Sequence, residues 1–126
     1  MKLDTPILFV ATTNPKKSRK FYEEKLGLKF ISEDAFALVF RVGKLQLRIQ
    51  KLECMTMDIQ HTVLGWAVAD IRKTVRRLAQ AGVRFLRFEG MEQDTDGIWQ
   101  SPAGARVAWF HDPDENILSL TEFPRS

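Results

Sequence analysis

The feature that most constrains the fold is an internal repeat. A glycine that suits the end of a helix occurs at Gly27 and again at Gly82, 55 residues later. Each glycine is followed by an apolar residue, a basic residue and a phenylalanine, at 28–30 and at 83–85. Such self-similarity indicates two copies of one supersecondary unit. Two copies can bury their helices on one side and leave a shared curved sheet on the other.

The first half is predicted to be a βαβββ module. Asn14 suits the cap of a helix with Pro15 in its first turn, and the helix ends before Gly27. In the last strand, apolar residues alternate with Gln46, Arg48 and a second glutamine. Period two therefore predicts that these polar residues share the face away from the helix. The predicted strands cover residues 5–12, 28–32, 36–42 and 45–50.

The second half repeats this order, with Asp70 as the cap of a helix that ends at Gly82. The sequence thus predicts an α+β fold, in which two βαβββ modules form a curved mixed sheet with helices on the outer face. We expect one domain, 1–126, made of module one at about 5–50, a connector at 51–60 and module two at about 62–123. The strands predicted in the second half cover residues 62–68, 83–88, 98–101, 107–111 and 117–122.

Composition narrows the class of protein. A chain of 126 residues with 44% apolar and 28% charged residues is typical of one soluble globular domain. The single cysteine, Cys54, excludes an intrachain disulfide and fits a cytoplasmic protein, and we see no signal peptide or membrane-spanning run. The net charge is only +3, and the basic runs have no interleaved aromatic residues. We therefore expect neither nucleic acid nor a membrane as a partner.

Three stretches carry a resemblance to a known family: residues 14–27, residues 66–82, and the Asp-Pro-Asp-x-Asn turn at 112–116 with the strand after it. With the repeat, they resemble the vicinal oxygen chelate superfamily, which includes glyoxalase I, bleomycin-resistance proteins and extradiol dioxygenases. Members usually carry glycine where this chain has Glu115. We therefore expect either an unusual φ at Glu115 or a different turn.

The resemblance also implies where a metal would lie. Family enzymes hold a divalent cation with four side chains, typically His, Glu or Gln, and the matching positions here are Ile7, Gln46, Val63 and Ser119. Ile7 and Val63 have no lone pair to donate, and a serine hydroxyl is a poor ligand for a divalent cation. We therefore expect no metal and no other cofactor, and no metal-dependent glyoxalase or dioxygenase activity.

The predicted cleft face is mostly apolar with a few polar groups, as in small-molecule sites. Arg48 is its most informative residue, because a guanidinium fork suits a carboxylate or a phosphate. The alternatives are an internal ion pair with an acid such as Glu122, or an Arg48 side chain that extends to solvent at the edge of the cleft. Trp66, Trp109 and Phe21 are expected to pack the sheet against the helices. The predicted ligand-binding residues are Phe9, Gln46, Arg48, Val63, Trp99 and Ser119.

The catalytic residue is unknown, and His61 is the one candidate for a general base. The alternative is an ordinary histidine at a strand end. The leading prediction is a metal-free protein, similar to the bleomycin-resistance branch, that binds a small anionic or aromatic molecule. One alternative is a lyase or isomerase of the glyoxalase type that works without metal; another is a protein-interaction module. Met55 and Met57 in the connector favour a homodimer, which is common in this family.

Overall fold

The structure, a computed structural model, describes residue 1, residues 5–54 and residues 61–125 of the chain. It divides into two compact units. The first unit holds the amino-terminal half together with one short turn from the carboxy-terminal half. The units are Met1–Ile59 with Asp112–Asn116, and Gln60–His111 with Ile117–Ser126.

The first unit is a four-stranded mixed sheet packed against one helix. Its strand order is β1-β4-β3-β2, with β1 parallel to β4 and the other neighbours antiparallel. The helix is capped by the Asn14 side chain, which accepts from the Lys17 amide at 3.2 Å. Leu47 and Ile49 are fully buried, as the alternation in β4 predicts. The elements are β1 Ile7–Thr12, α1 Pro15–Lys20, a π-helical turn Phe21–Lys25, β2 Lys29–Glu33, β3 Ala37–Val42 and β4 Leu45–Lys51.

The second unit repeats this architecture with the strand order β5-β8-β7-β6. Asp70 caps its helix by accepting from the Lys73 amide at 3.1 Å. That helix buries Ile71, Val75 and Leu78, the stripe that its period of 3.6 predicts. The elements are β5 Thr62–Ala67, α2 Ile71–Gln80, β6 Trp99–Gln100, β7 Arg106–His111 and β8 Ile117–Glu122.

Each unit thus carries the order βαβββ, and the predicted α+β fold is confirmed. No helix within the described residues is long and apolar enough to cross a lipid bilayer.

The prediction of a strand at 83–88 is wrong. Among the described residues, this segment forms a single isolated bridge, between Phe85 and Phe110. The reason lies in the Gln93 side chain, which donates to the Leu86 carbonyl and accepts from the Phe88 amide, both at 2.8 Å. Because these backbone groups are already bonded to a side chain, they are not available to extend a ladder.

Asp112 organises the turn that belongs to the first unit. Its buried carboxylate accepts from the backbone amides of Asp114 and Asn116, both at 2.9 Å. The other oxygen accepts from the Tyr22 hydroxyl and from the Asn116 side chain, both at 2.7 Å. Burial raises the pKa of Asp112, although these hydrogen bonds oppose the rise. Burial and the nearby Asp112 charge also raise the pKa of Tyr22.

Asp114 ties the same turn to the start of α1. It accepts from the Thr12 hydroxyl at 2.5 Å, and from both the amide and the hydroxyl of Thr13 at 2.7 Å. The hydroxyl of Ser18, a fully buried residue, lies 2.7 Å from the Thr12 hydroxyl. Burial acts to raise the pKa of Asp114, but these hydrogen bonds to its charged form outweigh burial and lower it.

Glu115 adopts φ +64°, the only positive φ of a non-glycine residue within the described chain. Of the two alternatives that the sequence allowed, an unusual φ or a different turn, the structure has the unusual φ. A left-handed conformation costs a residue with a Cβ about 1–2 kcal/mol, and glycine avoids this cost but loses more entropy on folding. We therefore expect Glu115→Gly to raise the free energy of unfolding by about 0.5–1 kcal/mol in urea denaturation. Glu115→Ala keeps the Cβ and should gain little; an equal gain for both variants would show that φ is not the cause.

Candidate functional site

The strands of the first sheet set two rows of side chains on the face away from α1, here called the front face. Ile7 pairs with Gln46, and Gln46 pairs with Arg41. In the next row, Phe9 pairs with Arg48. Directly paired residues project from the same side of a sheet, so each row shares one face. Ile7 is 49% exposed and Phe9 is 56% exposed. The structure therefore brings together the predicted residues Phe9, Gln46 and Arg48.

Arg48 already has partners in the first unit. Its guanidinium donates to Gln46 Oε1 at 3.2 Å and lies 3.9 Å from a carboxylate oxygen of Asp34. The acid beside Arg48 is thus Asp34 and not the suggested Glu122, which accepts from the Ile71 amide at 3.0 Å. The pair with Asp34 is long and partly exposed, so it holds Arg48 only weakly.

Asp34 remains ionised beside Arg48. Hydrogen bonds from the backbone amides of Phe36 and Ala37, at 2.7 and 3.0 Å, lower the pKa of Asp34. The charges of Arg48 and Lys51 add to this effect. The carboxylate therefore neutralises part of the positive charge at this end of the sheet.

A cavity of about 350 Å³ opens on the front face. Hydrocarbon side chains line part of it, and cationic or amide side chains line the rest. Within the described residues, the side chains of Arg41 and Lys44 make no hydrogen bond and no ion pair. Sequence reasoning missed both residues, although the alternation in β3 could have placed Arg41 on this face, opposite the buried Phe40. The lining side chains on which the argument below depends are Ile7, Ile31, Val39, Arg41, Lys44 and Gln46.

The second sheet carries its own polar and aromatic face. Ser119 pairs with Gly65 and with Trp109, while Val107 pairs with Trp99. The rings of Trp99 and Trp109 lie 6.1 Å apart. The prediction that Trp109 packs against the helices was wrong. Its neighbours on β7, Ala108 and Phe110, are the buried residues that face the helix. Because side chains alternate along a strand, Trp109 lies on the opposite face.

Close packing surrounds Ser119 on this second face. A Cβ built on Gly65 would lie 2.3 Å from the Ser119 hydroxyl, so glycine is the residue that fits beside it. Ser119 is buried, with an exposed fraction of 8%. The second unit therefore places two predicted residues, Ser119 and Trp99, on one face together with Trp109.

Val63 and His61 are placed differently. Val63 is half-buried at an irregularity of β5, between Thr62, which pairs with Ile117, and Leu64. His61 is exposed just before β5, and no described residue donates to it or accepts from it. A general base needs an orienting partner, and the described chain supplies none for His61.

The donor set does not fit a divalent metal. Of the positions that the resemblance implies, Ile7 and Val63 are hydrocarbon, and Gln46 Oε1 already accepts from Arg48. Across the part of the chain that the structure describes, no three His, Cys, Asp or Glu side chains gather closely enough to hold a metal ion. Divalent cations need several oxygen, nitrogen or thiolate donors, and these positions cannot supply them.

The match to a family model now identifies the class of protein. The model of the Glyoxalase/Bleomycin resistance protein/Dioxygenase superfamily matches residues 6–120. The chain therefore belongs to this superfamily, and the resemblance seen in the sequence is confirmed. Among curated protein sequences, none matches the chain.

Solved structures of low sequence identity share the fold. UcmS2 is 20% identical with a TM-score of 0.74, over 97% of this chain and 99% of that one. A lactoylglutathione lyase from Agrobacterium tumefaciens is 14% identical with a TM-score of 0.70, over 96% of each chain. A glyoxalase/bleomycin resistance protein/dioxygenase from Nocardioides is 16% identical with a TM-score of 0.74, over 100% of this chain and 87% of that one. Identities this low establish the fold alone.

Proposed function

We propose that the protein binds a small molecule with an anionic group and an apolar or aromatic body, without a metal. The cavity on the front face supports this, because it places Ile7, Ile31 and Val39 beside the cations Arg41 and Lys44, which have no acidic partner among the described residues. Its volume of about 350 Å³ lies within the range of small-molecule sites. An apolar wall with a few charged groups is what such a ligand needs.

Each part of the front face has a role in this proposal. The exposed side chains of Ile7 and Phe9 would cover the apolar body, since leaving them in water costs about 25 cal/mol per Å². Arg48 would add charge-assisted hydrogen bonds to the anion. Val63, Trp99 and Ser119 stay predicted ligand contacts.

We expect Arg48→Ala to weaken the binding of a small aromatic anion by about 1.5–3 kcal/mol, the usual worth of a hydrogen bond to a charged group. Arg48→Lys should recover only part of this loss, because an ammonium cannot reproduce the guanidinium fork. Calorimetry with benzoate and with phenyl phosphate measures both. Lys16→Gln, which removes one exposed charge on α1, is the control.

Two results would contradict this proposal. If neither probe binds at millimolar concentration, the anion-binding function is wrong. If Arg48→Ala binds both probes as tightly as the parent, Arg48 serves only as the partner of Asp34 and Gln46. Metal analysis of the same samples after exposure to zinc, nickel, manganese and iron should find no stoichiometric ion.

No specific observation favours the lyase or isomerase alternative, since His61 lacks an orienting partner within the described residues. The cytoplasmic location and the homodimer also stay predictions. The apolar connector residues Met55 and Met57, on which the dimer prediction depends, lie outside the described residues.

A further inference from the structure

Two cations face each other directly across the first sheet. Lys29 on β2 pairs with Arg41 on β3, so their side chains project from the same side. Both are exposed, and neither has an acidic partner within the described residues. Like charges directly opposite each other destabilise a sheet. The fold tolerates this unfavourable pair at the edge of the front-face cavity.

Lys44 adds a third positive charge from the turn between β3 and β4, and it lines the same cavity as Arg41. The nearby acids that the structure describes do not neutralise these cations. Glu33 lies 2.6 Å from Lys51, and Asp34 is the acid beside Arg48. We call the group Lys29, Arg41 and Lys44, which has no acidic partner in the described part of the chain, the basic corner.

We propose that the basic corner binds a doubly charged phosphate group, so that the ligand is a small phosphate monoester. This inference rests on the proposed function and specifies its anion. A single carboxylate would neutralise one of the three charges, whereas a phosphate dianion neutralises two and offers three acceptor oxygens. Arg41 can hold two of these oxygens with its fork, and Lys44 can act as a point charge.

Gln46 supports the same assignment. Its Oε1 accepts from Arg48. The amide nitrogen Nε2, which is a donor, therefore remains available to a ligand oxygen. Gln46 lies between Ile7 and Arg41 in one cross-strand row. A phosphate at Arg41 would therefore place the rest of the ligand over Gln46 and Ile7.

The experiment compares phenyl phosphate with benzoate by calorimetry on the whole chain. A phosphate monoester has a second pKa of about 6, so roughly a tenth of it is dianionic at about pH 5. We expect phenyl phosphate to bind about tenfold more weakly at about pH 5 than at about pH 7.5. Benzoate, with a carboxyl pKa near 4, should change much less over this range.

The protein itself contributes little to this pH dependence. The first unit contains no histidine, since His61 and His111 both belong to the second unit. The cations that face the cavity are arginine and lysine, and the lowered pKa of Asp34 keeps that carboxylate charged. A pH effect seen only with phenyl phosphate therefore reports the charge of the probe.

The variants test the basic corner itself. Arg41→Gln and Lys44→Gln should each weaken phenyl phosphate binding by roughly 10- to 100-fold, and Lys16→Gln, which removes the same charge elsewhere, should not. The thermal midpoint of Arg41→Gln should equal or exceed that of the parent, because the repulsion from Lys29 is removed. A lower midpoint would give Arg41 a structural role and overturn the assignment.

The outcomes separate this inference from the proposed function. If benzoate binds as tightly as phenyl phosphate at about pH 7.5 and neither responds to pH, the protein binds anions but the phosphate inference is wrong. If both probes bind and Arg41→Gln is without effect, the basic corner is not the site. If neither probe binds, both the inference and the proposed function are wrong.

Discussion

Replacing Asp112 with alanine should lower the free energy of unfolding by at least about 3 kcal/mol, because three buried donors lose their acceptor at about 1–3 kcal/mol each. These donors are the Tyr22 hydroxyl and the Asn116 side-chain amide, which both lie 2.7 Å from the carboxylate, and the Asn116 backbone amide at 2.9 Å. The variant also removes the acceptor of the Asp114 amide inside the turn. Urea denaturation followed by circular dichroism measures the change.

Tyr22→Phe is the matched comparison for Asp112→Ala, since it removes one hydrogen bond and leaves the carboxylate bonded to Asn116. It should cost about 1–1.5 kcal/mol, the net worth of one ordinary hydrogen bond. If Asp112→Ala costs no more than Tyr22→Phe, the turn does not depend on the buried carboxylate.

Asp114→Asn should lower the free energy of unfolding by about 1.5–3 kcal/mol at neutral pH, because its hydrogen bonds are charge-assisted. The pKa of Asp114 is lowered in the folded protein from its ordinary value of 3.8. Its ionisation therefore stabilises the fold above pH 3.8, and this stabilisation is lost as the pH falls through the folded-state pKa. The difference between parent and variant should thus narrow below pH 3.8.

Asp112 acts with the opposite sign, because its folded-state pKa is raised. Its contribution favours the fold at low pH and is lost as the pH rises through that pKa. Asp112 is present in both the parent and Asp114→Asn, so its effect cancels in their difference. Glu24→Gln, an exposed change in the same unit, should shift stability by no more than about 0.5 kcal/mol at any pH. A constant gap between parent and Asp114→Asn would contradict the lowered pKa.

The fold could be predicted because its signals are local and periodic. The alternation in β4 fixed which face buries Leu47 and which face carries Arg48, and the caps Asn14 and Asp70 marked both helices. Glu115, in place of a family glycine, pointed to the positive φ that the structure has. Each of these features depends on a few neighbouring residues.

The candidate site was harder to predict, because its chemistry depends on distant pairings. Whether Arg48 pairs with Asp34 or Glu122 is decided by which turn lies beside β4, and that is a tertiary property. The register of β2 on β3 places Lys29 opposite Arg41. It includes a bulge that no local sequence pattern predicts. The hydrogen bonds of the Gln93 side chain, which occupy backbone groups of the expected strand at 83–88, likewise join residues several positions apart.

The turn at 112–116 also has a consequence for biosynthesis. Tyr22 bonds to Asp112 across 90 residues of sequence, and Thr12 bonds to Asp114 across 102. These bonds cannot form until the turn at 112–116 has left the ribosome. The amino-terminal module, although it is translated first, is therefore completed only after the turn at 112–116 has been synthesised, and its Thr12 and Tyr22 hydroxyls must keep other partners until then.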